Sequence, residues 1–105
     1  MSLNIRDNSK NLGDIKINQP IQFQNTLKND TDKVITITNV TPACGSCTTS
    51  RVEKSILLPN DSTQIISTFT PSSTGYNNKN VTIYFKNDNN TASSITLYFS
   101  ANVIN

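Results

Sequence analysis

A chain of 105 residues with a formal net charge of +2 and no histidine has room for one domain built on a single modest core. Its nine Lys and Arg are scattered singly, so they do not form the massed cationic face that a phosphate backbone requires. Without histidine the usual general base is missing, which excludes most nucleophilic and metal chemistry at the outset.

The first ten residues are polar and carry no apolar period, and Met1 to Asp7 lacks the apolar stretch of a signal peptide. They read as an N-terminal arm (1–10) that orders only against a neighbour, ahead of a domain at 11–105. Leu12 to Ile17 supplies a first strand. Ile21, Phe23 and Leu27 then alternate along a second, with Asn25 interrupting the apolar stripe. Lys28 to Asp32 reads as a hairpin loop. Ile35 and Ile37 lead to Val40 after a bulge or bend, and Thr48 to Val52 fits a short edge strand.

Leu58 to Ser62 is a turn in which Pro59 presets φ. Ile65 and Phe69 share one face of the next run, with Ile66 on the other. Pro71 to Asn78 is a longer connection. Val81, Ile83 and Phe85 alternate with Thr82, Tyr84 and Lys86, and Lys86 to Thr91 closes a hairpin. Ile95, Leu97, Phe99, Ala101 and Val103 form the cleanest stripe in the chain. No window sustains a helical period. Thr, Ile and Val dominate, and branching at Cβ suits a pleated surface. The expectation is an all-β chain of about seven short strands, an immunoglobulin-like two-sheet sandwich, with a small barrel as the alternative closure.

Several motifs now stand in a recognisable order: Gly13-Asp14-Ile15, Phe23 with Lys28-Asn29, Ile37-Thr38-Asn39-Val40, Cys44-Gly45-Ser46-Cys47-Thr48, Leu57-Leu58-Pro59-Asn60, and Phe69-Thr70-Pro71 with Gly75. Together, from about Leu12 to Val103, they resemble the bacterial immunoglobulin-like family marked by a Cys-Gly-Cys-Thr signature, which is related to major-sperm-protein and ASH-type domains. Two departures stand out. Ser46 is inserted between the signature cysteines, and Asn60 replaces the turn glycine, a position where Asn tolerates left-handed backbone angles. The resemblance implies a non-enzymatic adhesion, scaffold or interaction module. It carries over no catalytic residue, cofactor or substrate.

The candidate site residues are few. Cys44 and Cys47 could close a loop-tying disulfide or remain thiols. Two sulfurs cannot complete a zinc site alone, and a low-pKa redox pair needs a helix N-terminus that the preceding strand does not offer. Asp30 and Asp32 suit turn-capping better than calcium. Tyr84 and Tyr98, on the polar face of two strands, could pair across the sheet or meet a partner. Met1, Leu3, Ile5 and Arg6 of the arm, with Pro42 and Arg51 flanking the cysteines, are the expected partner contacts, on the view that the arm 1–10 and the loop 41–52 form the contact with the parent assembly.

No catalytic residue, metal or cofactor is expected. The leading functional expectation is a structural protein of the virion, a bacteriophage capsid decoration protein bound to the major capsid protein, with no nucleic acid or membrane partner. It rests on a compact domain without a leader and an Asn/Thr/Ile/Lys bias typical of AT-rich genomes. The alternatives are a bacterial immunoglobulin-like module, cytoplasmic or at the cell surface, that binds a protein or glycan, and a Cys-x-x-Cys redox protein.

Overall fold

The stripe over Ile95–Val103 must be covered on its apolar side, and a second sheet covers it. A computed structural model describes residues 3–5, 9–43 and 47–105, with side chains described from residue 9 onward among these. Nine strands are present among the described residues: β1 (Leu3–Ile5), β2 (Ser9–Lys16), β3 (Ile21–Asn29), β4 (Ile35–Pro42), β5 (Thr48–Val52), β6 (Ile56–Leu57), β7 (Ser62–Phe69), β8 (Gly75–Asn87) and β9 (Ala92–Ile104). They form a four-stranded sheet in the order β1-β3-β7-β5 and a five-stranded sheet in the order β2-β9-β8-β4-β6. This is the two-sheet sandwich that the alternation predicts, with β1 and the two-residue β6 as additional pieces.

The core lies between the sheets, and period-two alternation fills it. Phe23 and Leu27 of β3 with Ile65 and Phe69 of β7 meet Val81, Ile83 and Phe85 of β8 and Leu97, Phe99, Ala101 and Val103 of β9, all buried. Phe99 bridges the layers, its ring 4.8 Å from Phe23 and 5.2 Å from Phe69, both tilted as aromatic quadrupoles prefer. Ile95, expected in the core, is only partly buried at the start of the stripe. Ile66 points to the outer face as expected, yet it is buried there, flanked in register by Gln24 and Arg51.

Two irregularities explain sequence motifs. Between Ile37 (opposite Phe85) and Asn39 (opposite Tyr84), β4 carries one extra residue, Thr38, and this bulge returns Val40 to the inner side. In β2 the parallel register with β9 shifts between Asn11 and Asp14, around Gly13 at φ 76°. Left-handed φ at that position suits glycine, and the shift delivers Ile15 to the core.

Four expectations are corrected. First, the N-terminal residues do not stand apart from the domain: β1 pairs antiparallel with β3, and Ser9 and Lys10 open β2, so the boundary at residue 10 falls inside a strand. Backbone pairing needs no apolar period, which is why the polar segment gave no signal. Second, Lys28–Asp32 is not a hairpin loop, because β3 and β4 lie in different sheets and the segment is an arch between layers. Third, the loop expected at 41–52 is strand at both ends, because β4 runs to Pro42 and β5 starts at Thr48. Fourth, β8 begins at Gly75, so the connection after β7 is shorter than the turn residues suggest.

Candidate functional site

The outer face of the five-stranded sheet is where exposed aromatic side chains gather. In β8 the residues even in number, from Tyr76 to Lys86, alternate with the buried Val81, Ile83 and Phe85 and so point outward. Register places Tyr76 opposite Asn102, Asn80 opposite Tyr98, Thr82 opposite Thr96 and Tyr84 opposite Ser94. The three tyrosines are 73%, 48% and 44% exposed, in the order Tyr76, Tyr98, Tyr84. Of the two possibilities for Tyr84 and Tyr98, pairing across the sheet does not occur, because they stand opposite Ser94 and Asn80 and lie four positions apart in the ladder. Sequence reasoning passed over Tyr76 because it sat in an expected loop.

Among the described residues the face around these rings is neutral. Asn78, Asn80, Thr82, Thr96 and Ser100 separate them, and on the flanking β4 Asn39 and Thr41 lie opposite Tyr84 and Thr82. Among the described residues charge lies at the ends: Lys86 opposite Thr36 at one, Asp14 and Lys16 beside Asn102 and Ile104 at the other. The Asp14 carboxylate accepts a 3.1 Å hydrogen bond from Asn102 Nδ2. Thr38, Asn39, Tyr84, Lys86 and Ser93 line a shallow open depression beside β4.

The cysteine segment has a different character. Cys47 is disulfide-bonded, and the chain's one other cysteine, Cys44, lies outside the described residues. Cys47 directly precedes β5, packs partly buried against the core, and its carbonyl accepts from Thr70 N at 2.8 Å. Among the described residues this segment offers no helix N-terminus to depress a thiol pKa. Pro42 ends β4 opposite Val81, and Arg51 projects from β5 opposite Ile66. Leu3 and Ile5 lie in β1, whereas Met1 and Arg6 are outside the described residues. β1 and β5 are opposite edges of the four-stranded sheet, three strand steps or roughly 14 Å apart.

At the arch between β3 and β4 the buried Asn29 organises the backbone. Its Nδ2 donates to the carbonyls of Lys33 (2.8 Å), Leu57 (3.0 Å) and Leu58 (3.2 Å), and its Oδ1 accepts from Thr31 N and Oγ1. The capping expected of Asp30 and Asp32 thus falls to Asn29 and Thr31, while Asp30 pairs with Lys28 at the surface. The adjoining turn is closed by Asp61 N donating to Leu58 O at 2.9 Å, with Pro59 and then Asn60 at φ 67° between them. This is a type II turn, and Asn60 takes the left-handed position. Lys54 Nζ donates to the Asp61 carboxylate and, with a weaker bond from Leu58 N, holds its pKa below the ordinary value.

A family profile described as "Protein of unknown function (DUF1573)" matches residues 3–103. The chain belongs to that family. No curated protein matches the sequence. Among solved structures, the chain is similar to the Vibrio cholerae VesB protease (TM-score 0.80, 14% identity), covering 95% of this chain and 31% of that one. It therefore spans about a third of VesB. It is also similar to the ASH/PapD-like domain 7 of human CEP192 (TM-score 0.75, 10% identity, 97% of this chain and 84% of that one). A third neighbour is SSP-19 of Caenorhabditis elegans, like the major-sperm-protein domains (TM-score 0.70, 12% identity, 93% and 97%). At these identities the likeness concerns the fold: this DUF1573 chain is an immunoglobulin-like sandwich similar in fold to the major-sperm-protein and ASH domains.

Proposed function

We propose that the protein is a non-enzymatic interaction module that decorates a larger assembly and recognises a partner through the outer face of its five-stranded sheet. The observation that carries this reading is the set of exposed Tyr76, Tyr84 and Tyr98 on one neutral sheet face. Tyrosine offers a large, stiff contact area at small entropic cost, and Asn, Ser and Thr around it supply adaptable hydrogen bonds. In its most specific form the assembly is a bacteriophage capsid and the attachment partner its major capsid protein. The resemblance to immunoglobulin-like chains with a Cys-Gly-Cys-Thr signature and the AT-rich residue bias favour that form. The disulfide at Cys47 agrees with display outside the reducing cytosol.

Attachment through the four-stranded sheet, whose edges carry Leu3, Ile5 and Arg51, would leave the tyrosine face free. The test is cosedimentation of the purified chain with capsids from the phage whose genome encodes it. Saturable binding at a fixed ratio to the major capsid protein is expected. A chain that stays in the supernatant while the capsids pellet would refute the capsid reading.

A further inference from the structure

We infer that the outer face of the five-stranded sheet binds a neutral polysaccharide chain, with sugar rings stacked on Tyr76, Tyr98 and Tyr84. The inference rests on the proposed role of this face as a binding surface and is independent of any capsid.

Geometry comes first. The ladder positions of Tyr76, of Asn80 with Tyr98, and of Tyr84 are separated by four residues each. At about 3.3 Å per residue the rings recur every 13 Å or so along one strand pair. A twisted row of separated aromatic platforms suits an extended polymer. It does not suit a compact small molecule, which needs an enclosing pocket.

Chemistry selects the polymer. A protein partner calls for a contiguous apolar centre ringed by polar groups, and here the rings are kept apart by Asn78, Asn80, Thr82, Thr96 and Ser100. A pyranose chain has the matching alternation. Its C–H faces lie on aromatic rings, and its equatorial hydroxyls exchange hydrogen bonds with amides and hydroxyls. Charge complementarity sets the sign. Among the described residues no charged side chain stands between Tyr76 and Tyr84 on this face, and Lys86, Asp14 and Lys16 mark its ends. An anionic glycan or a nucleic acid would leave its charges uncompensated across the middle of the face. Single sugars bind weakly on such an open surface, and affinity accumulates as successive rings are engaged by one chain.

Affinity electrophoresis of the intact protein in gels containing glucomannan, xyloglucan or soluble starch, with alginate as the anionic control, tests this directly. Retardation by at least one neutral polymer is expected, unchanged by added salt. Tyr76→Ala and Tyr84→Ala should each weaken it by about tenfold. The combined Tyr76, Tyr84, Tyr98 to Ala variant should abolish it with its melting temperature retained, and Arg51→Ala should bind as the parent does. Retardation by no neutral polymer, salt-sensitive retardation by alginate alone, or binding that survives the triple variant would overturn the inference. If the triple variant instead loses capsid attachment and the parent binds no glycan, the face is a protein interface and the glycan inference alone fails. If the parent binds glycan but no capsid, the capsid reading alone fails.

Discussion

Asn29 is the residue on which the arch between the two sheets depends. It is fully buried, and its amide satisfies three backbone carbonyls from two different segments. In Asn29→Ala those carbonyls lose their donor without gaining water, at about 1–3 kcal/mol for each group left unsatisfied. A loss of at least ~2 kcal/mol in urea unfolding is therefore expected, and a loss under ~1 kcal/mol would show that the arch tolerates the gap. Asn60→Gly should be nearly neutral, whereas Asn60→Ala should cost about 1 kcal/mol, because an alanine Cβ strains the left-handed backbone that Asn tolerates.

Asp61 gives a pH signature. Its hydrogen bond from Lys54 lowers the folded-state pKa, so the contribution is fully present above the ordinary carboxylate value of about 4 and is lost as pH falls through the depressed value. The urea midpoint of the parent should exceed that of Asp61→Asn at neutral pH, and the gap should close in acid. A gap independent of pH would remove Lys54–Asp61 from the account. At this scale the sequence was legible where a residue has one usual reason to be present. Pro59-Asn60 announced its turn. Asn29 looked like loop polarity, because nothing local reveals that β4 leaves for the other sheet.

At the scale of elements, strand alternation was read correctly because burial on one face imposes period two, and β5 was placed at its observed bounds. Pairing partners were not legible. Lys28–Asp32 and Lys86–Thr91 have similar turn chemistry, yet the first joins two layers and the second a true hairpin between β8 and β9. The same limit hid β1, whose three residues pair in register with Lys28 and its neighbours on β3. Deleting residues 1–8 removes that pairing and exposes a strand edge. The truncated chain should melt about 5 °C or more below the parent, and an unchanged melting temperature would mean that β1 contributes nothing to the fold.

For the whole molecule, the sandwich offers two outer faces of different kind. The four-stranded sheet presents Gln22, Gln24, Thr26 and Gln64, with Thr26 and Gln64 hydrogen-bonded to one another. The five-stranded sheet presents the tyrosines with no charged side chain of the described residues between them. Sequence reading found two of the three, but it could not place them on one face with Tyr76, since that requires the β8–β9 register. The most direct measurement is a two-dimensional NMR titration of the labelled protein with a neutral polysaccharide that retards it. Shifts should concentrate on the rings of Tyr76, Tyr84 and Tyr98 and on the amides of Asn80, Thr82 and Thr96, while Gln22, Gln24 and Gln64 stay unmoved. Shifts gathered on β5 and the cysteine segment, or on the four-stranded face, would contradict the account.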